Sequence, residues 1–133
     1  MKSFGFAAIV LVLGLAVMGC TNAGKAGKLS KPVAELTKED VKASLEKGGW
    51  RVGQANEASS GANKNFNVSF DGEGKKGVVE FMSSPNDASR RATAKIWEEK
   101  KAAVLSVDKA VLSIDMNGDT AAAQKVLDGM MGK

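Results

Sequence analysis

The residue types that most often carry out catalysis are scarce in this chain. Its 133 residues include no histidine, no tyrosine and one cysteine, Cys20. A Ser–His or Cys–His nucleophilic pair is therefore excluded, and so are histidine metal sites. Apart from the single thiol, carboxylates, lysines and hydroxyl groups are what remains for chemistry. This composition predicts a protein that is not an enzyme and that carries no cofactor.

One hydroxyl–amine pair has the spacing of a known catalytic motif. Ser44 and Lys47 match the S-x-x-K pattern, which places a serine and a lysine about one helical turn apart. The spacing resembles that of the serine-acylating penicillin-recognising enzymes, which are far longer and also need S-D-N and K-T-G motifs. Neither motif occurs here. We therefore predict that Ser44 and Lys47 belong to the exposed surface of an amphipathic helix.

A short acidic run could bind a cation. Residues Asp115–Asp119 match the start of a calcium-binding loop, D-x-N-x-D. A complete loop needs glycine at its sixth position and glutamate at its twelfth, where this chain has Thr120 and Val126. Asp119 is better explained as the cap of the last helix. We predict no metal site.

Three further features could contact a ligand. The glycines between residues 72 and 77 do not precede a helix, as a phosphate-binding loop would require, and they predict a hairpin turn. Trp97 lies off the apolar stripe of its helix and is kept as a weak ligand-binding candidate, although burial at a sheet edge is the better explanation. Trp50 is expected to pack in the sheet. The polar loop predicted over residues 56–64 could take part in recognition, or could be flexible filler.

Hydrophobic spacing and capping signals predict alternating helical and extended segments. In the second helix, Ala88, Ala92 and Ile96 are expected to form the buried face. The two short strands near residues 103–116 could instead be one longer irregular strand. The predicted elements are a helix over 38–47, a strand over 50–55, a loop over 56–64, strands over 66–70 and 78–82, a helix that begins at 85–87, strands over 103–107 and 110–116, and a last helix after 118–120.

These elements must together bury the apolar side chains of one small domain. Strands joined by short turns pair antiparallel, and each amphipathic helix has to bury one stripe. The order α-β-β-β-α-β-β-α therefore predicts a two-layer α+β sandwich, a mainly antiparallel sheet with helices on one face. No internal repeat is evident.

The start of the chain has the layout of an export signal. Lys2 precedes an apolar run over residues 4–18, and the sequence Val17-Met18-Gly19-Cys20 follows. This sequence resembles the lipobox of bacterial lipoproteins, which implies cleavage between Gly19 and Cys20 and a lipid on Cys20. An uncleaved anchor is the alternative, but a span needs about 20 apolar residues, and this run is shorter.

The resemblance divides the chain into three parts. Residues 1–19 are the predicted signal peptide, residues 20–32 a lipidated cysteine with a flexible tether, and residues 33–133 a single α+β domain. By analogy with enterobacterial lipoproteins, Thr21 (an inner-membrane retention signal has Asp here) implies release to the outer membrane, facing the periplasm.

Charge excludes one class of partner. The whole chain has 19 basic and 15 acidic residues, a net charge of +4. Lys2, Lys25, Lys28 and Lys31 lie in the predicted signal and tether, so the chain from Pro32 onward has 15 basic and 15 acidic residues and no net charge. A nucleic-acid-binding domain would need a basic surface of its own.

We therefore expect a non-enzymatic envelope lipoprotein, bound to the membrane through lipid on Cys20 and interacting with another envelope protein. A small-ligand or glycan binder is the alternative, with Trp97 or residues 56–64 at its site. A hydrolase that pairs two carboxylates, for example Glu80 and Asp115, is a remote alternative, because nothing in the sequence brings them together.

Overall fold

The computed structural model describes residues 24–133, which form three α-helices and a five-stranded sheet. This architecture confirms the α+β class and the predicted order of elements. Within this range no helix is long and apolar enough to cross a membrane. In chain order the elements are a 3-10 turn (Val33–Glu35), α1 (Lys38–Lys47), β1 (Arg51–Ser60), β2 (Asn63–Gly72), β3 (Lys75–Ser83), α2 (Asp87–Glu99), β4 (Ala103–Val107), β5 (Ala110–Asp115) and α3 (Thr120–Met130).

The sheet is antiparallel throughout, with the strand order β1-β2-β3-β5-β4. Two tight turns adopt the left-handed backbone that such hairpins require. Glu73 and Gly74 have φ values of 53° and 78° between β2 and β3, and Lys109 has a φ of 67° between β4 and β5. Both predicted hairpins are confirmed, and residues 103–115 form two strands rather than one.

The first strand is longer than the sequence predicted, and the prediction of a loop over residues 56–64 is wrong. β1 extends to Ser60, turns through Gly61 and pairs with β2 as far as Ser60 opposite Asn63. The side-chain amide of Asn56 donates to that of Asn67 at 3.2 Å across this pair. Small polar residues do not alternate with apolar ones here, because both faces of this part of β1 are exposed.

The helices begin where their capping residues predict. Thr37 and Asp40 form a reciprocal capping box at the start of α1, which spans the predicted residues 38–47. Asn86 accepts from the backbone N–H of Ser89 at the start of α2. Asp119 accepts from the N–H of Ala122 at 3.0 Å and caps α3, as predicted.

Two helices cover one face of the sheet and the third covers part of the other. α1 and α3 pack on the main core, and α2 packs on a smaller cluster that alternates with it along β3, β4 and β5. The sequence placed every helix on one face, and α2 is the exception. The main core includes Leu36, Val41, Leu45, Phe66, Val68, Phe70, Val79, Phe81, Leu112, Ile114, Val126, Leu127 and Met130, and the smaller cluster comprises Ala94, Trp97, Ala102 and Val111.

The predicted buried face of α2 is wrong. Ala88 and Ala92 are exposed, and Ile96 is 53% exposed. The helix instead turns Ala94 and Trp97 toward the sheet, each 9% exposed. A buried tryptophan removes far more apolar surface from water than two alanines, so Trp97 decides the rotation of the helix.

Residues 24–32, predicted as part of a free tether, are packed against the domain. Ala26 is 5% exposed and belongs to the main core. The N–H of Leu29 donates to the carbonyl of Met130 at 2.9 Å, and Lys31 pairs with Asp40 at 3.2 Å. The folded domain therefore includes residues 24–32, hereafter the docked segment, and this packing corrects the predicted boundary.

Candidate functional site

The docked segment is held by backbone hydrogen bonds to both flanking helices. The N–H of Gly27 donates to the carbonyl of Ser44 at 2.7 Å, and the Ser44 hydroxyl donates to the carbonyl of Gly27. The indole N–H of Trp50 donates to the carbonyl of Lys25 at 3.0 Å. These bonds satisfy backbone groups that burial would otherwise leave unpaired. The segment thus lies in a fixed place between α1 and α3.

Two glycines make this close approach feasible. A Cβ atom built at Gly48, which follows α1, would overlap the carbonyl oxygen of Lys25. One built at Gly129, in the last turn of α3, would overlap the backbone of Ala26. Neither glycine has a positive φ, so space, rather than backbone conformation, requires glycine at both positions.

The structure assigns Ser44 a role that the sequence analysis missed. Ser44 is 4% exposed, so the prediction that it belongs to an exposed helix surface is wrong. Its hydroxyl holds the docked segment, whereas Lys47 is exposed and packs its stem near Gly27. The S-x-x-K spacing therefore marks a structural contact here.

A small cleft surrounds the start of the docked segment. It has a volume of about 110 Å³ and is lined by Gly24, Trp50, Glu73, Lys75, Met116, Ala122 and Lys125. Gly24 has a φ of 76°, and a Cβ atom there would lie 3.4 Å from the Lys125 side chain. We call the surface formed by Gly24, Lys25, Glu73, Lys75 and Lys125 the basal surface.

A larger polar groove lies on the sheet face opposite α1 and α3. Its volume is about 440 Å³, and its polar lining includes Arg51, Ser69, Asp71, Lys76, Asp115 and Asn117. Arg51 donates two hydrogen bonds to Asp71, at 2.9 and 3.1 Å. The hydrogen bonds from Arg51 hold the pKa of the Asp71 carboxyl below its usual range. Asp71 therefore stays ionised at neutral pH and is a poor proton donor.

The two carboxylates considered for a hydrolase lie on the same sheet face without sharing a site. Asp115 pairs with Val78, and Glu80 pairs with Ser113, so the two acids are diagonal neighbours on adjacent strands. Diagonal neighbours are about 7–8 Å apart. Asp115 lines the polar groove, and Glu80 does not. The arrangement offers no enclosed carboxylate pair.

Residues 24–133 contain no cluster of three or more acidic, histidine or cysteine side chains that could hold a metal ion. Asp115 accepts from the N–H of Gly118 at 3.3 Å, and Asp119 caps α3. Both acids of the calcium-like run are therefore engaged in local backbone structure.

Trp97 packs beneath α2 against Ala102 and Val111, and it lines neither the polar groove nor the cleft at Gly24. Little of its ring is accessible to a ligand. Gly19 and Cys20, the predicted cleavage and lipidation positions, lie outside the described residues.

Comparisons with known proteins identify no relative. No protein family matches the chain, and no curated protein or solved structure is significantly similar to it.

Proposed function

We propose that this protein is a bacterial envelope lipoprotein, released from its signal peptide between Gly19 and Cys20 and anchored by lipid on Cys20. The observation that carries the proposal is the position of the export-type segment. Its single cysteine stands six positions before Ala26, which is packed in the core of the domain. Two acyl chains suffice for stable anchoring, since each buried CH₂ contributes about 0.8 kcal/mol.

In this proposal the domain acts by contact and not by catalysis. Histidine and tyrosine are absent from the sequence, and the groove carboxylate Asp71 is tied to Arg51. By analogy with enterobacterial lipoproteins, Thr21 favours the outer membrane, with the domain facing the periplasm. There the domain binds another envelope protein.

Replacement of the cysteine tests the anchor. In a bacterial host, Cys20→Ser should prevent incorporation of labelled palmitate, leave the precursor unprocessed and shift its mobility, whereas Ser30→Ala should behave as the parent protein. If the Cys20→Ser product is still cleaved and still fractionates with membrane in the same way, the lipoprotein assignment is wrong. In an enterobacterial host, Thr21→Asp should move the mature protein from the outer to the inner membrane.

A second function, binding of a small polar ligand or glycan, is favoured by the polar groove. Arg51, Lys76, Asp71 and Asp115 line a groove of about 440 Å³, and side chains of both charges suit a ligand that is itself zwitterionic or rich in hydroxyl groups. Titration of the isotope-labelled domain with zwitterionic dipeptides and with oligosaccharides should shift the amide signals of Ser69 and Asn117. Lys76→Gln should weaken these shifts and Lys109→Gln should not. Unchanged signals with both probe classes would remove this function.

A further inference from the structure

The docked segment shortens the chain available between Cys20 and the fold. A free tether from Cys20 to Pro32 would span up to about 40 Å. Residues 25–31 are bound to α1, α3 and Trp50. The distance between a lipid on Cys20 and the docked segment is therefore limited by the four residues from Cys20 to Gly24, which reach at most about 14 Å. A lipid on Cys20 therefore keeps Gly24 close to the bilayer, whatever conformation the intervening residues adopt.

The basal surface that would meet the bilayer is mostly basic. Lys75 and Lys125 are exposed, whereas Lys25 is half-buried and donates to the carbonyl of Lys133 at 3.1 Å. Glu73 is the acid among the residues of this surface, and Asp119 lies beside Lys75 at its edge. Lys75 and Lys125 make no ion pair within residues 24–133. Anionic headgroups attract each lysine near a membrane with a free energy that corresponds to roughly a five-fold preference.

The opposite end of the molecule is fixed by β1. The bond from Trp50 to Lys25 holds the start of β1 beside the docked segment. β1 then runs ten residues, from Arg51 to Ser60, which is about 30 Å at the usual rise per residue. The exposed turn at Gly61 and Ala62 therefore lies at the far end of β1 from the docked segment.

We infer that the lipidated protein has a fixed orientation, with the basal surface against anionic lipid headgroups and the β1–β2 turn directed away from the membrane. The occupant of the basal surface is thus the bilayer itself. This inference rests on the proposed function, because it requires the acyl chains on Cys20.

Energy transfer to the membrane tests the orientation. Lipidated protein is reconstituted in vesicles of phosphatidylcholine and phosphatidylglycerol that carry an acceptor dye on the headgroups. The lipidated Cys20 has no free thiol, so Ala121→Cys and Ala62→Cys each give one labelling site. Ala121 lies one helical turn before Lys125, and both alanines are exposed. Transfer should be strong from position 121 and weak from position 62. Equal transfer from both positions overturns the inference.

Two variants identify the cause. A flexible Gly/Ser insertion of about 12 residues after Asn22 adds about 20 Å of mean reach and should reduce the difference between the two labels. Lys75→Gln with Lys125→Gln should lower the preference for this orientation roughly 25-fold in anionic vesicles, whereas Lys95→Gln with Lys109→Gln should not. If neither the insertion nor the basal lysine pair changes transfer, the inference is wrong.

Flotation of the vesicles and mass analysis of the labelled protein separate the two proposals. A protein without acyl chains that fails to float refutes the proposed function, and the orientation with it. A protein that is acylated and floats but shows equal transfer from both labels refutes the orientation alone.

Discussion

Two polar segments of similar composition have opposite fates in this fold. Residues 24–32 and residues 56–64 are both rich in glycine, alanine, serine and lysine or asparagine, and the sequence predicts irregular chain for both. The first segment is docked between two helices, with Ala26 and Leu29 packed on the core. The second forms the end of a hairpin in which Glu57 to Asn63 are exposed.

The difference lies in the partners and not in the segments. Gly48 and Gly129 leave room for the backbone of residues 25–26, and Ser44 supplies both a donor and an acceptor to Gly27. Residues 56–60 pair with β2, and Glu57 forms an ion pair with Lys38 of α1 at 3.6 Å, but all five residues remain exposed. Composition alone therefore does not tell a docked segment from an exposed one. Interactions with distant parts of the chain decide it.

The largest effect should come from filling the space at Gly129. In an exposed helix, glycine to alanine stabilises by up to about 1 kcal/mol. At Gly129 the added methyl group would meet the backbone of Ala26, and such overpacking costs about 1–3 kcal/mol. We expect Gly129→Ala to lower the free energy of unfolding in urea and to expose the Leu29 amide to hydrogen exchange. If Gly129→Ala stabilises the protein, the docked arrangement is wrong.

A matched pair of serine substitutions compares the two segments directly. Ser44→Ala removes the donor to Gly27 and leaves a carbonyl unpaired in a site that is 4% exposed, which should cost about 1–3 kcal/mol. Ser60→Ala, in the exposed hairpin, should stay within about 0.5 kcal/mol of the parent. Urea unfolding followed by tryptophan fluorescence measures both. If the two substitutions lower the free energy of unfolding equally, the serine in contact with the docked segment stabilises the fold no more than the one in the exposed hairpin, and the proposed difference between the segments is wrong.

The parts of the fold that local signals specify were predictable. Thr37 and Asp119 begin helices through contacts within three residues, and Asp108-Lys109 forms a two-residue turn. The rotation of α2 about its axis was not predictable. The spacing of its alanines indicated one buried face, whereas the single large side chain of Trp97 determined a different one. Propensity and pattern do not weigh how much surface each residue buries.

The candidate site depended on long-range contacts that one sequence does not reveal. The partners of the docked segment are distant in sequence. Ser44 is 17 residues from Gly27, and Met130, the partner of Leu29, follows all five strands in the chain. The polar groove likewise joins Arg51, Asp71 and Asp115 from three strands. By contrast, the lipobox-like sequence is contiguous and is recognisable without any structure, and lipidation of Cys20 stays a prediction.

The smallest effect should appear where the docked segment joins α1, and it should depend on pH. Asp40 accepts hydrogen bonds from the N–H and hydroxyl of Thr37 and pairs with Lys31 at 3.2 Å. The backbone hydrogen bond from Thr37 is the main reason that the pKa of Asp40 lies below its ordinary value. Asp40→Asn should cost about 0.3–1 kcal/mol at neutral pH, since it removes a negative charge from the first turn of a helix.

The pH dependence follows from the direction of that shift. A carboxyl group whose pKa is lower in the folded state than in the unfolded chain stabilises the fold. Its full contribution is present when the pH is above its pKa in the unfolded chain, about 3.9. It loses that stabilisation as pH falls through the folded value. The difference in unfolding free energy between the parent and Asp40→Asn should therefore be constant from neutral pH down to about 5 and shrink below about 4. Glu39→Gln is the control for the loss of a first-turn charge alone, because Glu39 lies in the same turn but is exposed and accepts no capping hydrogen bond. If the difference persists unchanged at the lowest pH, the amide introduced by Asp40→Asn disturbs the start of the helix sterically. The charge of Asp40, through its contacts with Thr37 and Lys31, would then not be the source of the stabilisation.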